Sequence, residues 1–292
     1  MRITRYGLLA STLACWGSLL SAQVWAQSQT SGKSALEIAQ IVASPDRSAA
    51  DRTNDLRRKP EAMLAFIDLR PGTVALDLSA SGGYTTELLA RSIGPGGVVY
   101  GQSPPPRDPG RAPPPPAAPE GNSNPSLAPS AAPAPTGPPR PSPVALAERE
   151  ARLHAAGVSA ARIIPLVRPF EDPIPPELAD GRLDLVTLMF NYHDLGHLGV
   201  DRAAMNRAVF RALKPGGHYV IADHSGRPGT GISEAGTLHR IEEAFLQKEL
   251  ETAGFKLQAE ASFLRNLNDP RDRNTPDPPQ PKDEFVLKFV KP

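Results

Sequence analysis

Residues 191–194, which read Asn-Tyr-His-Asp, hold the side chains of this sequence best suited to proton transfer. His193 titrates near neutral pH and is our candidate general base, with Asp194 beside it to orient the imidazole. Asn191 supplies an amide that can bond a ligand. The competing interpretation of His193 is a structural histidine with a fixed hydrogen bond. The tetrapeptide follows an apolar stretch, residues 183–190, that is typical of a buried parallel strand.

A second candidate site lies in residues 74–91, where a short apolar run is followed by small residues and then by a helix-compatible segment. Asp77 lies near the end of the run, and the turn after it contains Ser79, Ser81 and Gly83. A strand, a tight turn and a helix predict the first βα unit of a doubly wound α/β sheet. Such a turn exposes backbone N–H groups where ligands bind. The competing interpretation is a structural turn that binds nothing.

The order of these residues resembles motif I of class I S-adenosylmethionine (SAM) methyltransferases, whose pattern is acid-x-Gly-x-Gly-x-Gly. Ser79 and Ser81 stand at the first two glycine positions, and Gly83 holds the third. The resemblance implies SAM as cofactor, bound by Asp77, by the turn and by serine hydroxyls that can bond the methionine carboxylate. In the dinucleotide-binding pattern the acid comes about 20 residues after the glycines, which disfavours a nicotinamide-dependent oxidoreductase.

Two further stretches resemble the same family. Residues 213–217, Leu-Lys-Pro-Gly-Gly before an apolar strand, match a signature that precedes its fifth strand. Residues 191–194 fall at motif IV, where the family places substrate and catalytic groups, and they resemble the same tetrapeptide in a group of secreted predicted methyltransferases. This implies catalytic roles for His193 and Asp194. The resemblance also implies four further cofactor contacts, which are Ser103 after the second strand, Glu171 and Asp172 after the third, and Asn191.

The resemblance implies a Rossmann-like, doubly wound α/β fold of seven strands, with the last strand inserted antiparallel between the fifth and sixth. The methyltransferase-like domain covers residues 60–292, and a proline-rich stretch, residues 104–143, interrupts it with half of the 34 prolines of the chain. Because proline fixes φ and lacks an N–H, we expect this insertion to be disordered. Residues 27–59 are predicted to form a tether and helices. One long helix is predicted over residues 234–253, with His239 as a packing residue or charge partner.

Residues 1–26 predict a secretory signal peptide. Two arginines precede an apolar stretch, residues 6–20, and the small residues at positions 24 and 26 predict cleavage after Ala26. The single cysteine, Cys15, lies inside this segment, so the mature chain would have no thiol for catalysis or for zinc. We therefore expect a periplasmic or secreted protein without stable membrane insertion after cleavage.

The formal net charge is +1, which gives no basic field for nucleic acid. The sequence favours SAM-dependent methyl transfer to an unidentified small-molecule or envelope acceptor, with general-base help from His193. The alternative is a non-catalytic periplasmic binding or scaffold protein on a degenerate methyltransferase fold. It fits the serine-substituted turn, and it fits the end of the second strand, where Gln102 and Ser103 replace the acid that commonly bonds the ribose hydroxyls in that family. His193, His197, Asp223 and His224 offer metal ligands near strand ends, but no zinc-binding pattern joins them, and we expect no metal.

Overall fold

The computed structural model describes residues 32–106, 116–118, 140–274, 276 and 280–292. The predicted signal peptide lies outside the described residues, as does most of the predicted proline-rich insertion. Ser31–Pro292 makes one compact unit. Among the described residues, no helix combines the length and the apolar character needed to cross a bilayer.

The sheet contains seven strands. They are β1 Val74–Leu78, β2 Val98–Ser103, β3 Arg162–Val167, β4 Leu183–Met189, β5 Leu213–His224, β6 Lys256–Ala261 and β7 Glu284–Val290. Their order is β3-β2-β1-β4-β5-β7-β6. β1 to β5 pair in parallel, and β7 runs antiparallel to both β5 and β6. This order confirms the predicted Rossmann-like, doubly wound α/β fold with the last strand antiparallel.

Helices cover both faces of the sheet. In the described part of the chain they are α1 Ala35–Ala43, α2 Ala49–Arg58, α3 Pro60–Ile67, α4 Tyr84–Ile93, α5 Ser142–Ala155, α6 Tyr192–His197, α7 Arg202–Ala212, α8 Ala235–Leu238 and α9 Glu243–Thr252, with a 3₁₀ turn at Pro176–Leu178. In β1, Ala75 packs with α1, α3, α4 and α5 on one face, and Leu76 belongs to the cluster of α6, α7 and α9 on the other. Burial on both faces explains why the central strands are continuous apolar runs.

The single helix predicted over residues 234–253 is wrong, because the structure divides it into α8 and α9. His239 ends α8 with a left-handed backbone, φ 51°. Ile241 then forms a β bridge beside the end of β5. Arg240 is fully buried and pairs with Asp269 at 2.9 Å. These tertiary contacts outweigh the helical propensity of the segment.

Candidate functional site

The turn between β1 and α4 has an unusual backbone. Ser79, Ser81 and Gly83 have φ values of 57°, 50° and 80°, so all three lie in the left-handed region. This conformation costs an L-residue roughly 1–2 kcal/mol, whereas glycine adopts it readily. The three alternate positions at which the resemblance expects glycine are therefore the positions where the chain turns left-handed. The two serines keep that backbone despite its cost.

Asp77 lies beneath this turn and is only 2% exposed. The Thr86 hydroxyl donates to its Oδ2 at 2.7 Å, and the Thr187 hydroxyl donates to its Oδ1 at 2.8 Å. Burial raises the pKa of Asp77 to about 6, and the two threonine bonds oppose that rise. The carboxylate thus joins β1 to α4 and β4. Its predicted contact with a cofactor stays a prediction.

Gln102, near the end of β2, connects the turn to the chain that follows β3. It is fully buried, its Oε1 accepts from the Ser79 N–H at 3.0 Å, and its Nε2 donates to the Arg168 carbonyl at 2.6 Å. Ser103, the predicted ribose-side contact, follows it and is 7% exposed. No short-range pattern in the sequence signals this structural role of Gln102.

The two acids predicted to contact the adenine lie on the loop after β3. Asp172 is exposed, and its side chain pairs with Arg168, whose Nε also donates to the Asp172 carbonyl at 2.9 Å. Glu171 is half-buried. Because Gln102 bonds the Arg168 carbonyl, this loop adjoins the end of β2. Both acids therefore lie near the predicted cofactor edge, and their role stays a prediction.

Helix α5 covers one side of the turn. A Cβ added at Gly83 would lie 2.6 Å from Leu146 Cδ2 and 2.8 Å from Arg149 Cδ, so any larger residue would have to displace these side chains. The Arg149 guanidinium pairs with Asp51 at 2.7 Å and with Glu87 at 2.5 Å. Burial alone would raise the pKa of Asp51, but Arg149 holds it below its usual value. This ion cluster fixes α2, α4 and α5 around the turn.

His193 lies at the start of α6, beyond the end of β4, and is 1% exposed. Its Nδ1 contacts Asp223 Oδ1 at 2.6 Å, and its backbone N–H donates to Asp223 Oδ2 at 2.8 Å. Burial alone would lower the pKa of His193, but the charge of Asp223 raises it to about 10. The pairing with Asp223 therefore favours the charged imidazole.

Asp194 and His239 complete this cluster. Asn191 Nδ2 donates to Asp194 Oδ2 at 2.8 Å. Asp194 Oδ1 lies 3.3 Å from His193 Nε2 and 3.2 Å from His239 Nδ1. Although burial opposes it, the interaction with His193 lowers the pKa of Asp194. On its other side, His239 Nε2 contacts the Ala118 carbonyl at 2.6 Å.

The structure thus brings three of the predicted residues, Asn191, His193 and Asp194, into one cluster with His239 and with Asp223, which the sequence offered as a metal ligand. The signal for Asp223 is present in the sequence, because this acid ends an apolar strand as Asp77 does. His239 gives no comparable signal, since it was expected inside a helix. His197 and His224, which the sequence analysis weighed as ligands, do not belong to the group of converging ligand atoms found among the described residues.

Both clusters lie at the carboxyl edge of the sheet. β1 and β4 are neighbours with Leu78 opposite Leu188, so the serine turn and residues 190–193 follow adjacent strand ends. Helix α2 reaches the same edge, where the Arg58 guanidinium lies 4.0 Å from the centre of the Phe190 ring. This edge is where ligands bind in open α/β sheets.

No protein-family model matches this chain, and no curated protein matches it in sequence. Among similar solved structures, a SAM-dependent methyltransferase from Aquifex aeolicus is 14% identical with a TM-score of 0.49, over 89% of this chain and 100% of that one. An S-adenosylmethionine-dependent methyltransferase from Mesorhizobium loti is 14% identical with a TM-score of 0.44, over 80% and 97%. The [4+2]-cyclase SpnF is 15% identical with a TM-score of 0.47, over 84% and 81%. The fold assignment rests on the strand order of this chain, and a fold does not fix a reaction.

Proposed function

We propose that this protein is a SAM-dependent methyltransferase that acts on a small-molecule or envelope acceptor. The main support is the turn after β1, where three alternate residues adopt left-handed backbone directly beyond a buried acid. That turn lies at the N-terminus of α4, where backbone N–H groups face outward and favour an anionic group such as a methionine carboxylate. The strand order of the sheet also supports this proposal.

In this proposal the residues divide into a donor side and an acceptor side. Ser79, Ser81 and Gly83 hold the amino-acid end of SAM, with Asp77 beneath them. Ser103, Glu171 and Asp172 are the proposed nucleoside contacts, and Asn191 joins the two sides. Methyl transfer requires mainly that donor and acceptor atoms be aligned about 3–3.5 Å apart.

General-base help from His193 is the more demanding part of the proposal. A positioned base contributes typically 10²–10⁴-fold when the acceptor must lose a proton. The acceptor proton would go to Nε2, because Nδ1 is held by Asp223. Nε2 must be free of its own proton for that step, and the raised pKa of His193 works against this.

Export to the periplasm or beyond is also proposed, on the charged and apolar pattern of residues 1–26. The acceptor would then be met outside the cytoplasm. Neither nucleic acid nor stable membrane insertion after cleavage is part of the proposal.

A second candidate function is a non-catalytic binding or scaffold protein on the same fold. Gln102 favours it, because this side chain lies near the end of β2, where a ribose-binding acid is expected, and both of its polar atoms bond its own chain. Arg149 favours it as well, since it lies against the serine turn and donates to the Gly82 carbonyl at 2.5 Å.

Calorimetric titration with SAM, S-adenosylhomocysteine and NAD distinguishes these functions. We expect adenosylhomocysteine to bind, and Ser81→Glu to weaken it at least tenfold because the new carboxylate would repel the methionine carboxylate. Ser159→Glu is the matched control, since Ser159 is exposed on a different loop and should leave binding unchanged. No heat with any of the three ligands would contradict the methyltransferase and favour the scaffold, and binding of NAD alone would favour an oxidoreductase.

The base is tested separately with His193→Ala, by following adenosylhomocysteine release in the presence of candidate acceptors. Lost turnover with unchanged cofactor binding supports the role of His193. Equal turnover in the variant removes the base from the proposal and leaves methyl transfer by alignment alone.

A further inference from the structure

Three ligand-type atoms from separate side chains converge beside the end of β4. We propose that His193 Nε2, Asp194 Oδ1 and His239 Nδ1 form a binding site for a divalent transition-metal ion. The three atoms lie within 4.8 Å of one another. This proposal goes beyond methyl transfer and does not require that SAM binds.

The first support is His193 Nε2 itself. The side chain is 1% exposed, yet Nε2 has no hydrogen-bond partner. Asp194 Oδ1 is 3.3 Å away but poorly directed for a hydrogen bond. A buried polar nitrogen without a partner is costly, and a bound ion would satisfy it.

The second support is the set of contacts behind the three ligands. His193 is held at Nδ1 by Asp223, His239 is held at Nε2 by the Ala118 carbonyl, and Asp194 is held at Oδ2 by Asn191. Histidines that bind metals almost always donate their other ring N–H to a carboxylate or carbonyl, which leaves the facing nitrogen free for the metal. Both histidines of this cluster have such an acceptor.

The spacing also suits an ion. Metal–ligand bonds of about 2.1 Å place neighbouring ligand atoms roughly 3.0–3.4 Å apart in tetrahedral or octahedral geometry. Asp194 Oδ1 lies 3.3 Å from His193 Nε2 and 3.2 Å from His239 Nδ1. The ligand nitrogens of the two histidines lie within 4.8 Å of each other, so a small movement would bring both into contact with one ion.

The types of donor atom restrict which ions can bind. Two imidazoles and one carboxylate suit Zn²⁺, Fe²⁺ and related ions, whereas Mg²⁺ and Ca²⁺ prefer oxygen donors. The histidines are almost fully buried, but the Asp194 side chain is 32% exposed, which leaves an approach from that side. Three protein ligands with an open position are typical of a catalytic rather than a structural metal. Coordination at Nε2 would also exclude His193 from general-base work.

The test is calorimetric titration of the chelator-treated, purified protein with ZnCl₂ and CoCl₂, without SAM. We expect one saturable site per chain. His239→Gly should weaken it at least tenfold, and glycine suits the left-handed backbone at this position, so the variant should fold. Asp223→Asn should weaken binding 10–100-fold, as loss of a supporting carboxylate does in other metal sites. His154→Ala, which removes an exposed histidine on α5, should bind as the parent does.

Thermal unfolding of each protein with and without Zn²⁺ separates lost binding from lost folding. A variant that melts cooperatively yet gains no stability from Zn²⁺ has lost the site. The proposal is overturned if the parent shows no saturable binding, if His239→Gly binds with unchanged affinity, or if His154→Ala loses the site. Because cofactor is absent throughout, failure here leaves the methyltransferase proposal standing, and the reverse also holds.

Discussion

The buried carboxylate of Asp77 should make the stability of this protein depend on pH in an unusual direction. Its pKa is raised from 3.8 to about 6, mainly because burial disfavours the charged form. Between pH 4 and 6 the folded chain therefore keeps a proton that the unfolded chain has lost. Since stability rises with pH only where the unfolded state binds more protons, this group lowers stability as pH rises through that window.

The size of the effect follows from the two pKa values. A difference of one pKa unit corresponds to 1.36 kcal/mol, so a rise from 3.8 to about 6 opposes folding by about 3 kcal/mol once both states are ionised. Asp77→Asn does not titrate and should escape this cost. Asparagine can still accept from one threonine, and the other threonine hydroxyl can rotate to accept from its amide.

Urea unfolding of the parent and Asp77→Asn from pH 4 to pH 8 measures this directly. Groups that titrate in both proteins cancel, and the stability of the variant relative to the parent should rise by about 2 kcal/mol across the range, because the unfolded carboxyl is already more than half ionised at pH 4. Asp51→Asn is the matched control, because Arg149 lowers the pKa of Asp51 below 3.8, so its contribution is lost only below about pH 4 and its difference from the parent should stay nearly flat across this range. A difference for Asp77→Asn that stays flat with pH would refute the reasoning.

Two further substitutions test the surroundings of the serine turn. Arg149→Met removes the ion-pair partner of buried Asp51, while Glu87 keeps Arg91, and should lower the free energy of unfolding by about 3–5 kcal/mol in urea titrations; a loss below about 1 kcal/mol would show that the ion cluster relaxes into water. Ser81→Gly relieves a left-handed residue, φ 50°, and after the greater chain entropy of glycine should raise stability by roughly 0.5–1 kcal/mol. A clear loss of stability in Ser81→Gly would mean that the serine hydroxyl contributes more than its backbone costs.

Much of the sheet follows from the sequence, because the central strands are short apolar runs bounded by glycine, proline and small residues. β1, β3 and β7 coincide with such runs, at residues 74–78, 162–167 and 284–290. β1 and β7 are almost entirely buried, so hydrophobicity alone identifies them. The turn after β1 is likewise predictable, since alternate small residues mark its left-handed positions.

The backbone cannot be predicted from local sequence where contacts between residues distant in sequence determine its conformation. Residues 234–253 have the composition of one helix, but buried Arg240 and its partner Asp269 hold the chain out of helical geometry at His239. No window of local sequence contains that partnership. The break removes His239 from a helix face and points Nδ1 at Asp194, 3.2 Å away. The third member of the cluster was therefore invisible to motif analysis.

The two buried acids of the sheet edge show why this edge concentrates polar chemistry. Asp77 near the end of β1 accepts from Thr86 in α4, and Asp223 near the end of β5 accepts from the backbone and ring of His193 in α6. Each acid is costly to bury and persists because it fixes the start of a helix at the carboxyl edge. Asp223 differs in that it directs an imidazole toward a second carboxylate. Two carboxylates therefore flank one imidazole, and a divalent cation bound between Asp194 and the two histidines would offset their negative charge.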